Sequence, residues 1–337
     1  MNRHTVRGVL AALLLYAAGP LNAQNYPAGP VRFLVPFPAG GGIDTMGRIL
    51  GPKLSEAIGK PVIVENRPGG NTMVGSVIVD NRAGANGLLG SRFVARAPKD
   101  GYTLLVNGVN FVTAPVLFKN AEFDPLKDFD PVSLLALAPN ILVVHPSLPV
   151  KNVREFIALA RAKPGEVLFA GSDSGSTPHL AGELFKTLTS TKMVHVPYRG
   201  TGPAITAILS GEVSTMFMPA LTALPLIQGG RVRALGVTTF ERLPALPDLP
   251  TVSESGLKGY QSSQWYGLLA PAGTPPDILN FLNGHAAKIM QTPDMKERMK
   301  MSGSVAVGST REAFAKHLQI EFTKWAKVIK ASGATVD

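Results

Sequence analysis

A chain of 337 residues with a formal charge of +10 and no cysteine cannot rely on disulfides, on thiolate zinc sites or on a lipid anchor carried by an N-terminal cysteine. Its lysines and arginines are scattered, with no basic run interleaved with aromatic residues, so the positive excess reads as a solvated surface that draws in small anions; nucleic acid is not an expected partner. The histidines show no metal-ligand spacing and the acids no paired signature, so no metal or cofactor is expected.

The opening residues have the layout of an export signal. Arg3 and Arg7 supply charge, Val9 to Ala18 an apolar stretch, and Leu21-Asn22-Ala23 a cleavage site, which predicts removal of residues 1–23. Losing Arg3 and Arg7 takes the charge from +10 to +8, and 337 less 23 leaves 314 residues, two domains at about 150 residues each. Beyond residue 23 no uninterrupted apolar run reaches about 18 residues. The expectation is a freely diffusing periplasmic monomer.

Short β-branched runs then alternate with helical patterns: Val31 to Val35 and Thr45 to Ile58, then Val62 to Glu65, Leu88 to Ala97 and Tyr102 to Val106. A second series pairs Ile141 to Val144 with Val153 to Lys163, Val167 to Ala170 with Leu180 to Leu188, and Val194 to Pro197 with Ala204 to Ser210, and closes on Val232 to Val237. This rhythm predicts βαβ units, a mainly parallel sheet and two α/β domains. Proline-rich punctuation at 243–250 and 270–276 precedes three helical patterns, Asp277 to Met290, Pro293 to Met301 and Thr310 to Ala331. In the last, Phe314, Leu318, Phe322, Trp325 and Ile329 form one apolar stripe, which reads as core packing.

Residues 62–76, VIVENRPGGNTMVGS, are followed at once by VIVDNRAGANGLLGS at 77–91. Two copies of 15 residues cannot build a solenoid, so one copy is expected in the sheet and the other looped out or added at an edge. Because the second copy runs into the helix at Leu88, it is expected to supply the functional turn.

Three strand-to-helix turns carry the chemistry. The first, Phe37 to Asp44, holds Gly40-Gly41-Gly42; it fails the G-x-G-x-x-G pattern at Thr45 and lacks a P-loop Gly-Lys-Ser/Thr ending, leaving a small-anion nest or a bare tight turn. Asp44 is placed to cap the following helix and face Arg48 at i+4. The second turn, Phe169 to Leu180, offers Ser172, Ser174, Ser176 and Thr177 with backbone amides; the nucleophile-elbow pattern fails because Asp173 stands where serine is needed. His179 is placed to cap or pack, with general-base chemistry as the alternative. The third, Val196 to Ala204, contributes Tyr198 and Arg199.

In order and wording, PFPAGGGxD, ENRPG, DGYTLL, GSxxGSxxHLAGELF, VPYRGxxPA, the strand Arg233 to Thr238, LPDLPTVxESG and GLLAPAGTP resemble the Bug receptors, the periplasmic solute-binding proteins of tripartite tricarboxylate transporters. The resemblance covers essentially the whole mature chain. It implies a type II periplasmic binding fold: two α/β lobes, here 24–135 with 252–337 and 136–251, joined by a doubly crossed hinge. It also implies a non-enzymatic receptor that traps a small organic carboxylate in the cleft and delivers it to a two-subunit membrane permease. The expected ligand-binding residues are Phe37, Ala39, Gly40, Gly41, Gly42, Ser172, Ser176, Thr177, His179 and Tyr198. Ser214 and Met218 stand where the family often has aspartate, so a Met218 that reached the cleft would disfavour an amino-acid ligand. A sensory module signalling to a membrane kinase would share this fold, and an exported serine hydrolase is the remaining alternative.

Overall fold

The computed structural model describes residues 26–37, 39, 41–67, 87–118, 120–171, 175–198 and 201–332. The expected signal segment, Gly40, Ser172, Asp173, Ser174, Arg199 and most of the duplicated stretch lie outside the described residues.

In the first lobe β1 (Val31–Val35) pairs in parallel with β2 (Val62–Asn66) and with β3 (Thr103–Asn107). Helix α1 (Gly42–Ile58) links β1 to β2; it buries Ile43, Met46, Leu50 and Leu54 at three- and four-residue spacing and stops at Gly59 in the left-handed region. Helices α2 (Leu88–Ala95) and α3 (Asn110–Leu117) flank β3 in sequence. The strand of the first repeat copy is therefore β2, and the helix that follows comes from the second copy.

The long strand β4 (Phe129–Val144) is the backbone of the molecule. Then come α4 (Val153–Ala162), β5 (Leu168–Gly171), α5 (Thr177–Thr189), β6 (Val194–Pro197), α6 (Thr201–Ser210), β7 (Thr215–Pro219), α7 (Ala220–Gln228) and β8 (Arg233–Val237). The chain returns through β9 (Ser263–Pro271), α8 (Pro276–Met290), α9 (Pro293–Met301), the short β10 (Val305–Ala306) and α10 (Arg311–Ser332). Strands run in the order β2-β1-β3-β9-β4-β7-β5-β6, with β8 and β10 on β4. Each flank is parallel, as the alternating pattern predicts. The centre is antiparallel, because β4 and β9 carry the chain out of and back into the first lobe.

Strand β4 pairs with β9 from Phe129 to Pro139 and with β7 and β8 from Asn140 to Val144, so one continuous strand serves both lobes. The second crossing leaves β8 at Thr238, whose amide and hydroxyl both donate to the Asn140 carbonyl at 3.0 and 2.9 Å. The Asn140 amide donates in turn to Thr238 Oγ1 at 2.9 Å, and Ser262 N to the Thr238 carbonyl at 2.9 Å. At this hinge Asn140 Nδ2 and Ser262 Oγ are buried without a hydrogen-bond partner among the described residues.

On one sheet face a single core runs across both lobes, from Leu105, Phe111, Trp265 and Phe314 to Phe156, Phe185, Phe217 and Tyr260. The Tyr260 hydroxyl donates to the Ala181 carbonyl at 2.9 Å. The stripe on α10 is packed as expected: Phe314, Leu318, Trp325 and Ile329 are buried. Trp325 Nε1 donates to the buried Glu321 at 2.8 Å, which neutral packing alone would leave unsatisfied.

Candidate functional site

The glycine turn ends in a helix start whose N-cap residue is itself a glycine. Gly41 is the N-cap, extended at φ −74° and ψ 166°, and makes no side-chain cap bond; the first helical bond is Thr45 N to the Gly41 carbonyl at 2.8 Å. The N–H groups of the first turn therefore carry the positive end of the helix dipole outward. Asp44 sits in that turn and does not act as the N-cap. Its buried carboxylate accepts from Arg48 Nε at 2.9 and 3.0 Å, the expected i+4 pair, and from Asn66 Nδ2 at 2.8 Å. Asn66 also donates to the Phe37 carbonyl at 3.1 Å, so the end of β2 holds the turn against α1. Asn66 stood in the ENRPG motif and the tandem repeat, but sequence reading gave it no role in the site.

Within the turn, Ala39, Gly41 and Gly42 are exposed. The half-buried Phe37 ring lies against Gly87, where φ is +79° and an added Cβ would stand 2.9 Å from Phe37 Cζ. The glycine that opens the second-copy helix is thus required both by its backbone and by the Phe37 ring.

Strand β9 brings in two side chains that no motif pointed to. Tyr266 and Gln264, two residues apart, share one face of the strand. The Tyr266 hydroxyl lies over Gly42, where a Cβ would stand 2.5 Å from it, and makes no hydrogen bond among the described residues. Burial pushes this phenol up to about 12, so it remains a neutral O–H donor at any physiological pH. Gln264 packs on Gly108 just before α3, and its Oε1 accepts from Thr177 Oγ1 at 2.9 Å. One strand face thus touches the starts of α1 and α3 in the first lobe and of α5 in the second.

Across the hinge, Ser176 is the N-cap of α5, accepting from His179 N at 3.4 Å. His179 is buried beneath the turn: its Nδ1 accepts from Gly175 N at 3.0 Å, and its Nε2 faces Glu183 at 3.8 Å. Lys186 Nζ closes on the same carboxylate at 2.8 Å. The His179 and His195 rings lie 4.1 Å apart, and His195 Nε2 is buried against Gly171 without a partner among the described residues. Burial, the neighbouring His195 and Lys186 together lower His179 to about 3; burial and Lys186 lower His195 to about 4. Both rings are neutral at pH 7, and His179 holds the Gly175 end of the turn from below.

Tyr198 hangs from the end of β5, its amide donating to the Gly171 carbonyl at 3.0 Å. Its hydroxyl donates to Glu212 at 2.8 Å and its ring is half-buried against the core around Ile141 and Ala204. Met218 is fully buried in that same core, so the cleft condition set for it is not met, and Ser214 donates to the Leu168 carbonyl at 3.2 Å.

The structure therefore brings Gly42 and Thr177 to one strand face through Tyr266 and Gln264, while His179 and Tyr198 are engaged within the second lobe. No helix among the described residues is long and apolar enough to cross a membrane.

Known proteins resemble this chain along nearly its whole length. The profile described as the tripartite tricarboxylate transporter family receptor, TctC, matches residues 71–334. Protein BugT of Bordetella pertussis is 33% identical over 341 residues, covering 99% of each chain. Among solved structures, Rpa4515 of R. palustris with adipate is 33% identical at a TM-score of 0.73, covering 92% of this chain and 99% of that one. MatC of Rhodopseudomonas palustris with bound malate is 31% identical at a TM-score of 0.70, covering 90% and 100%. A profile of that reach, with full-length identity to BugT, means that the chain belongs to the receptor family of the tripartite tricarboxylate transporters, the Bug or TctC proteins.

Proposed function

We propose that the protein is a periplasmic solute-binding receptor that captures a small organic carboxylate between its lobes and delivers it to a two-subunit membrane permease. The observation that carries this reading is the glycine-capped start of α1 with the Tyr266 hydroxyl, which has no hydrogen-bond partner among the described residues, lying on Gly42. A carboxylate there accepts from main-chain amides and a phenol, each charge-assisted bond contributing about 1.5–3 kcal/mol. The net surface charge favours the approach of such an anion. Relatives solved with adipate and with malate support the ligand class.

In this reading the backbone of Ala39, Gly40, Gly41 and Gly42 meets the head group from the first lobe, Ser172, Ser176 and Thr177 from the second, and Phe37 and Tyr198 form walls. His179 contributes by fixing the turn at Gly175. Closure about the Asn140 and Thr238 hinge removes water from the anion, strengthening these bonds, and offers the permease a surface present only in the closed form.

A thermal-shift screen of the processed protein against mono-, di- and tricarboxylates tests the reading. A ligand at 100 times its Kd adds about 2.7 kcal/mol of stability and raises Tm. Absence of any shift across the screen, confirmed by calorimetric titration, refutes it.

A further inference from the structure

A cavity of about 260 Å³ opens directly beside Gly42 and Tyr266. One wall is α1, through Met46 and Ile49; the floor is β4 at Pro139, where the strand changes lobes; the far side is Leu221 of α7 and Met299 of α9. None of the described residues lining it is charged; its polar side chains are the hydroxyls of Thr45, Tyr266, Ser302 and Ser304, of which Ser302 donates to the Met299 carbonyl at 2.7 Å. Both lobes meet here: at Gly303, with φ +65°, an added Cβ would stand 3.0 Å from Ala220 Cβ and from Leu221 N. Leu221 is nonetheless 55% exposed, an apolar side chain turned into the opening between the lobes.

We propose that this cavity seats the apolar body of a monocarboxylate whose head group lies at the start of α1. The inference rests on the carboxylate-receptor reading above and narrows it to a ligand class. The volume equals about nine waters at ~30 Å³ each, which matches an aryl ring with a short linker or a medium aliphatic chain. A second carboxylate placed in the same space would lose its hydration and meet no cation, with only the hydroxyls of Thr45 and Ser304 beyond the Tyr266 phenol that serves the head group. An apolar body instead covers Met46, Ile49, Met299 and the half-exposed Leu221, and gains in proportion to the apolar area removed from water. Because the walls come from both lobes, the body of the ligand, and not only its charge, favours the closed form.

Calorimetric titration of the full processed protein with 3-phenylpropanoate, octanoate, malate and adipate tests this. The expected result is that 3-phenylpropanoate or octanoate binds at least tenfold more tightly than malate and adipate. Leu221→Asp, at an exposed position where the ligand-free Tm is unchanged, then weakens that binding at least tenfold; Ile49→Ser does the same from the other lobe. Tyr266→Phe weakens all four compounds alike, through the shared head group. If malate or adipate binds most tightly and Leu221→Asp leaves its affinity unaltered, the cavity proposal is overturned while the carboxylate reading stands. If none of the four compounds binds, nor any other carboxylate, both fall.

Discussion

The buried histidine pair makes the second lobe sensitive to mild acid, by an amount that follows from the geometry. In the unfolded chain a histidine titrates near 6.5, whereas burial and its neighbours lower His179 to about 3 in the fold. A folded value below the unfolded one means that the stabilisation is present above pH 6.5 and is lost as pH falls toward 3. Between pH 7 and pH 5 the unfolded state gains about 0.7 proton at this site while the folded ring stays neutral, an integrated loss of about 2 kcal/mol. That figure is set by protonation of the unfolded chain and holds for any folded value well below 5. His195, lowered to about 4 and 4.1 Å away, adds in the same direction. The perturbation is His179→Asn, whose amide oxygen takes the place of Nδ1 as acceptor for the Gly175 N–H. Urea unfolding followed by the fluorescence of Trp265 and Trp325, both fully buried, measures stability at each pH. The wild type should lose about 2 kcal/mol more than the variant between pH 7 and pH 5. Equal losses in the two proteins would refute a neutral, buried His179.

Three further outcomes are expected. Gly42→Ala pushes a methyl to 2.5 Å from the Tyr266 hydroxyl; helix propensity gains up to about 1 kcal/mol, so the fold survives, but calorimetric titration should show carboxylate affinity down at least tenfold, about 1.4 kcal/mol. Thr177→Val removes the donor to Gln264 Oε1 at 2.9 Å and should lower stability to urea by about 0.5–1.5 kcal/mol; no change would mean that the bridge carries no energy. Deleting Pro68 to Arg82 leaves Ala83 to Asn86 to join two anchors that both sit at the end of β1. Arg67 N bonds the Val35 carbonyl at 2.8 Å with its guanidinium 4.2 Å from the centre of the Phe93 ring, and Gly87 packs on Pro36 and Phe37. Four residues span that gap at about 3.3–3.6 Å each, so Tm measured by calorimetry should stay within about 3 °C, and failure to fold would show the longer link to be required.

Alternation and apolar spacing made the two lobes legible, since β1 with α1 and β5 with α5 each carry a local signal within one βα unit. So did the Asp44 and Arg48 pair, fixed by a four-residue step on a helix. The antiparallel centre was not legible. Strand β9 meets Asn107 at Gly267 and β4 across more than a hundred residues, and no local pattern encodes a partner so distant. Only the last four residues of β4 read as a strand, because Pro131 and Pro139 break its apolar run; in the ladder a register shift follows Pro131, while Pro139 ends the β9 pairing opposite Ser263. Tyr266 and Gln264 were hidden for the same reason: alternation in Gln264-Trp265-Tyr266-Gly267 was present, but which face would meet Gly42 depended on the tertiary path. His179 was visible as a helix-start residue; its contact with His195 came from pairing of β5 with β6.

The unbroken course of β4 has a consequence for how the molecule fails. A peptide ladder that begins on β9 and ends on β7 gives neither half an independent boundary, and the aromatic core follows it across. Damage to either half is therefore expected to be shared by both, with a single melting transition and no self-standing fragment from either half.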